Sequence, residues 1–145
     1  MQPPVDELAV GASGEEVRRA SEWLEANCLR YAVPQAKAGP LVLCLNEVLA
    51  NVIDHGGESA RSEPIRLRFE FGGDQGHGRA SVTVSDAGVA FNPLSFPTRV
   101  LPRTLEDATP RGMGLEIIRR CASSLEYRRE NGRNHLTFET RWSAQ

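Results

Sequence analysis

Val17, Ala20, Trp23, Leu24 and Cys28 recur at three- and four-residue intervals, which predicts a helix with one apolar stripe. Ser13-Gly-Glu-Glu16 stands before it as a capping box: the Ser13 hydroxyl takes a free backbone N–H and Glu16 reaches back. That helix should stop before Val33-Pro34. A second helix is expected from about Gln35 to His55, ended by Gly56-Gly57. The period then changes to two. Ile65–Phe71 and Ala80–Ser85 alternate like strands, and the glycine-rich stretch Gly72–Gly78 joins them as a hairpin. A short strand near Glu7–Val10 precedes all of these.

Residues 92–111 carry Pro93, Pro97, Pro102 and Pro110 and have no periodicity. A loop that long within a compact domain is a functional lid or is disordered. A helix over Gly112–Ser124 and a closing hairpin, Leu125–Glu130 and His135–Arg141 around Asn131-Gly132, complete the chain. Hairpin-joined strands with interspersed helices predict an α+β fold, a two-layer sandwich. Its sheet would be mixed but mainly antiparallel, with the helices on one face.

The 145 residues suit a single domain, 1–145, able to bury roughly two-thirds of its unfolded surface. With 40% hydrophobic and 25% charged residues the chain sits among ordinary soluble proteins, which argues against disorder and against a membrane protein. A net charge of -2 gives no electrostatic reason to expect nucleic acid. The start, Met1-Gln-Pro-Pro-Val-Asp-Glu7, lacks the basic and apolar regions of a signal peptide, so a cytoplasmic location is expected. Cys28, Cys44 and Cys121 make no C-x-x-C pair and are expected as buried free thiols.

Candidate chemistry begins on the second helix. Leu41, Val42, Leu43, Leu45, Val48, Leu49, Val52 and Ile53 cover most of its circumference, which predicts a largely buried helix. Glu47, Asn51 and His55 are spaced by four and stack along one line of it. Such a line is either the solvent edge of the helix or the wall of a pocket. In the pocket reading, Asn51 offers a neutral oxygen to Mg²⁺, and Glu47, one turn away, can accept a proton from an attacking hydroxyl.

Asp86-Ala-Gly88 follows a strand directly. It is either ordinary turn chemistry or a strand-end carboxylate facing an exocyclic amine such as adenine's, with Gly88 leaving room for a flat ring. Gly112-Met-Gly114 comes just before Leu115 and an apolar helix. That pair gives either flexibility at helix entry or backbone N–H groups for an anion, with Arg111 beside them. No G-x-x-x-x-G-K-[ST] is present, so a P-loop is excluded, and no G-x-G-x-x-G follows a strand, so a Rossmann site is not supported.

Glu47-x-x-x-Asn51-x-x-x-His55, then Asp86-x-Gly88-x-x-Phe91-x-Pro93, then Gly112-Met113-Gly114-Leu115, resembles in order and spacing the three ATP-site boxes of the gyrase/histidine-kinase (GHKL) ATPase superfamily. The resemblance covers roughly residues 10–140. It implies the ATP-binding fold of that superfamily, ATP and Mg²⁺ as cofactors, and an ATP lid at about 94–111. The small size and the Glu-x-x-x-Asn-x-x-x-His form look like the anti-sigma-factor serine/threonine kinases of partner-switching systems. Those proteins bind a sigma factor or another regulatory target and phosphorylate a small anti-sigma-factor antagonist.

By that resemblance Glu47 is the general base and Asn51 the metal ligand. His55, Asp86, Gly88, Phe91, Arg111, Gly112, Met113, Gly114 and Leu115 would form the nucleotide pocket. The family's Gly-Thr before the last strand is absent; the segment reads Gly132-Arg-Asn-His-Leu-Thr137, so Asn134 or Thr137 would have to replace its contact with adenine. Two rivals stand beside the kinase: a non-catalytic ATP-binding module that sequesters a regulatory protein, and the ATP-binding half of a histidine kinase. The second needs a dimerising helical domain for which the chain has no room. Whether the domain works as a homodimer stays open.

Overall fold

The computed structural model describes residues 4–74, 77–92 and 122–143. Its elements run β1 (Val5–Val10), α1 (Gly14–Arg30), α2 (Gln35–His55), α3 (Gly57–Ser62), β2 (Ile65–Asp74), β3 (His77–Asp86), β4 (Ser124–Glu130) and β5 (Arg133–Ser143). The strands form one sheet in the order β1-β2-β3-β5-β4. Every described pairing is antiparallel.

Strand alternation sorts the two faces. Ile65, Leu67 and Phe69 of β2, Ala80, Val82 and Val84 of β3, and Leu136 and Phe138 of β5 are buried beneath the helices. Fully burying a side chain such as Phe69 or Phe138 is worth about 1.5–3 kcal/mol, so this face holds the core. The other face carries Arg66, Arg68, Thr83, Ser85, His135 and Thr137. Among the described residues the helices cover one side, as expected.

The helix ends follow from local chemistry. The Glu16 amide donates to Ser13 Oγ at 3.3 Å, the expected cap. The Glu16 carboxylate, however, accepts from the Gly11 amide at 3.1 Å rather than from Ser13, tying α1 to the end of β1. At the far end Ala32 adopts φ 57°, and the Val33 amide reaches the Cys28 carbonyl at 2.8 Å. Pro34 then starts α2.

On α2, Leu41, Cys44, Leu45, Val48 and Leu49 are buried against the sheet. Leu43 is 43% exposed and Val42 only partly buried, so the expected burial around most of the helix is corrected. In a two-layer fold with α1 alongside, the outer side of α2 meets solvent. By length and composition α2 could span a bilayer, but its apolar side faces this core.

The helix α3 was not expected, because its six residues lack apolar periodicity and only Ala60 is buried. The β2–β3 hairpin is longer than its alternating core suggests. Gly73 pairs with Gly78 and Asp74 with His77, and the Trp142 ring lies over Gly78, where a Cβ would stand 2.2 Å from it. The Asn131-Gly132 turn is as expected, with φ of 54° and 74°. Cys28 and Cys44 are buried thiols outside any disulfide, and burial, helped by the charge of Glu25, pushes the Cys28 thiol up to about 11. The predicted helix from Gly112 lies mostly outside the described residues; Ala122 and Ser123 are not helical, and Ser124 already belongs to β4.

Candidate functional site

The C-terminal half of α2 runs past the end of β3, and a small cavity lies between them. Val48, Val52, Val84 and Leu136 give it apolar walls, and Asn51 and Asp86 supply polar atoms from the helix and the strand end. Its volume is about 30 Å³, enough for an ordered water. A purine would enter only if side chains at the mouth moved. Val89, 54% exposed, and Phe91 border the cavity there.

Asn51 is 8% exposed, and its Nδ2 is buried without a hydrogen-bond partner among the described residues. A buried amide left without a partner costs about 1–3 kcal/mol, so this N–H needs an acceptor that the described residues do not supply. Glu47, one turn earlier, is only partly buried and lies outside the cavity wall; burial raises its carboxyl above the usual glutamate range. His55, one turn later, stacks on Phe91 with ring centroids 4.8 Å apart and planes within 4°. The structure therefore brings Asn51 and Asp86 to one cavity, and sets Glu47 and the His55–Phe91 pair around it.

Asp86 is 5% exposed. Its Oδ1 accepts from the Gly88 amide at 2.9 Å and from Asn134 Nδ2 at 3.1 Å. The Asp86 and Asn134 backbones are direct partners across β3 and β5. Gly88 is buried against α2: an added Cβ would stand 2.7 Å from the Gly56 Cα. The Val89 amide donates to the Gly56 carbonyl at 3.0 Å, and Arg129 Nη1 donates to the Gly88 carbonyl at 2.7 Å. Glycine at 88 thus admits the helix end.

Thr137 is placed elsewhere. Its Oγ1 lies 2.8 Å from Thr83 Oγ1 on the open face of the sheet, away from the cavity. It sits three residues beyond Asn134, and an odd interval on a strand reverses the face. The expected adenine contact of Thr137 is therefore corrected. Tyr127, Arg129 and Gly56 belong to the site and were not singled out from sequence. The register of the Asn131-Gly132 hairpin, continued across to β3, was the signal that could have found Tyr127 and set Asn134 apart from Thr137. Arg111, Gly112, Met113, Gly114 and Leu115 lie outside the described residues.

Residues 10–140 match the histidine kinase-like ATPase domain. The chain belongs to that family. This ATPase domain is also 31% identical over 138 residues to the serine/threonine-protein kinase BtrW of Bordetella bronchiseptica, covering 95% of this chain and 94% of BtrW. Among solved structures it is similar to the RsbU and RsbW domains of Rv1364c from Mycobacterium tuberculosis, with a TM-score of 0.66 and 19% identity. That likeness covers 98% of this chain and spans a third (33%) of the other, and it bears on the fold. A weaker likeness, TM-score 0.48 and 13% identity, is to the SiaB-SiaC complex of Pseudomonas aeruginosa.

The residues present fit a magnesium nucleotide. The Asn51 N–H that lacks a partner among the described residues is a donor suited to an acceptor such as a phosphate oxygen, while the oxygen of the same carboxamide suits Mg²⁺. Among the described residues no group of three or more His, Cys, Asp or Glu side chains could hold a metal ion. One side chain shared with phosphate oxygens and water is the usual Mg²⁺ arrangement at nucleotide sites.

Proposed function

We propose that the protein is an ATP-dependent serine/threonine kinase of the partner-switching kind. It would bind a sigma factor or another regulatory target and phosphorylate a small antagonist protein in the cytoplasm. The observation that carries the reading is Asn51: a buried carboxamide whose N–H has no partner among the described residues, on a cavity wall it shares with the strand-end carboxylate of Asp86.

In this reading Asp86 accepts the exocyclic N–H of adenine, and Val48, Val52 and Leu136 bury the ring faces. Asn51 would hold Mg²⁺, which when bound neutralises phosphate charge. Glu47 takes the proton of the incoming serine hydroxyl as the new Oγ–P bond forms and the bond from the γ-phosphorus to the β,γ-bridging oxygen breaks, leaving ADP. Its raised carboxyl pKa moves it toward the working pH, which favours a general base. The remaining task is positioning, which dominates phosphoryl transfer. Arg111 and the Gly112 and Gly114 amides are assigned to the phosphates from sequence.

Incubation with γ-labelled ATP, Mg²⁺ and the cognate antagonist tests the reading. Label on an antagonist serine or threonine, lost with Glu47→Ala, is expected. Nucleotide binding without transfer would mean a module that sequesters its partner and turns nothing over. The same preparations run on a sizing column show whether the working form is a homodimer.

A further inference from the structure

Asn134 spends all of its hydrogen-bonding capacity at one place. A carboxamide has two N–H donors and two acceptor lone pairs. Nδ2 donates to Asp86 Oδ1 at 3.1 Å and to the Val89 carbonyl at 2.8 Å. Oδ1 accepts from Tyr127 Oη at 2.6 Å and from the Phe91 amide at 3.3 Å. Two acceptors on one side and two donors on the other also fix which end is oxygen. No valence is left for a ligand, so Asn134 cannot stand in for a base-binding threonine by touching the base.

What Asn134 governs is Asp86. With Gly88 it occupies Oδ1, while Oδ2 accepts no hydrogen bond among the described residues and Asp86 lines the cavity. Asn134 also fastens the loop after β3 at Val89 and Phe91, the residues at the cavity mouth.

We propose that Asn134, locked by Tyr127, is a positioning residue for base selection: it clamps Asp86 so that a single free carboxylate oxygen is presented to a 6-aminopurine nucleotide and refuses a 6-oxopurine. A 6-amino group donates to that oxygen, whereas a 6-oxo group would set two acceptors against each other. The inference rests on the nucleotide reading of the cavity.

The test is calorimetric titration of ADP and of IDP, each with Mg²⁺, into the full chain and two variants. Wild type should prefer ADP. Asn134→Ala should narrow the ADP:IDP ratio by roughly tenfold, the usual scale of losing a charge-assisted hydrogen bond, with IDP affinity nearly unchanged. Tyr127→Phe should narrow it by about threefold, since it removes one of the four bonds that orient the carboxamide. It also decides the question if Asn134→Ala fails to fold. A purely structural role would weaken both nucleotides alike, and that result, or an unchanged ratio in both variants, overturns the inference while leaving nucleotide binding intact. Wild type that binds neither nucleotide overturns the nucleotide reading, and this inference with it.

Discussion

Gly88 and Gly56 touch backbone to backbone: a Cβ on Gly88 would stand 2.7 Å from the Gly56 Cα and 2.8 Å from its carbonyl oxygen. Gly56 caps α2 and Gly88 follows Asp86, so this contact sets the distance between the helix bearing Asn51 and the strand end bearing Asp86. The Val89 amide seals it with a hydrogen bond to the Gly56 carbonyl.

Gly88→Ala should therefore act on stability and binding together. Forcing a methyl group between two backbones costs about 1–3 kcal/mol. The added atom would also lie 2.8 Å from Asp86 Oδ1, so the carboxylate must shift. A lowered denaturant midpoint with weakened ADP binding is expected. Unchanged ADP affinity would separate the glycine contact from the nucleotide site.

Much of this arrangement was legible in the sequence. The four-residue spacing of Glu47, Asn51 and His55 and the strand-end Asp86 need only the two basic periodicities. Sequence did not reveal how the open space is shared out. The apolar residues of α2 gave no sign that Leu43 would be left on the solvent side. Thr137 and Asn134 looked interchangeable until strand parity put them on opposite faces. Tyr127 meets Asn134 only diagonally across two strands, a contact fixed by register and not by any local pattern. Gly88 could be singled out as a glycine position, but the approach of a helix end more than thirty residues earlier in the chain could not be read from it.

Glu47 should give the pH profile its acid limb. Burial raises its carboxyl above the ordinary value near 4.5, so the native state holds this proton more tightly than the unfolded chain does. Its contribution to stability is then full below the unfolded pKa and is lost as pH rises through the native one. Transfer activity, which needs the ionised form, should rise across the same window, with a midpoint above that of an ordinary glutamate. Glu47→Gln should remove the limb and slow transfer by roughly 10²–10⁴-fold. Rate–pH profiles and pH-dependent denaturation of both proteins check this.

Ala32 holds a left-handed conformation, φ 57°, just beyond the end of α1. That conformation costs a non-glycine residue about 1–2 kcal/mol, against about 0.5–1 kcal/mol for the extra flexibility of glycine in the unfolded chain. Ala32→Gly should therefore stabilise by about 0.5 kcal/mol, read as a denaturant midpoint moved upward. Because residue 32 is far in the fold from Asp86 and Asn51, nucleotide affinity should stay at the wild-type value.

Asn51→Leu sets function against stability most directly. The buried Nδ2 has no partner among the described residues, and Val48, Val52, Val84 and Leu136 are its apolar neighbours around the cavity. Leucine is close in volume and carries no polar atom to desolvate. If the amide is kept for a ligand, the substitution should raise the unfolding free energy of the nucleotide-free protein by about 1 kcal/mol, the orphan's desolvation penalty returned. It should at the same time abolish the rise in melting temperature that Mg²⁺ and nucleotide give to wild type, since stabilisation by a ligand follows its affinity. Stability gained and ligand response lost in one variant would show a side chain retained for chemistry at the expense of the fold. A loss of stability instead would mean that the carboxamide is satisfied within the protein, and the role of Asn51 as the nucleotide-site ligand would fail with it.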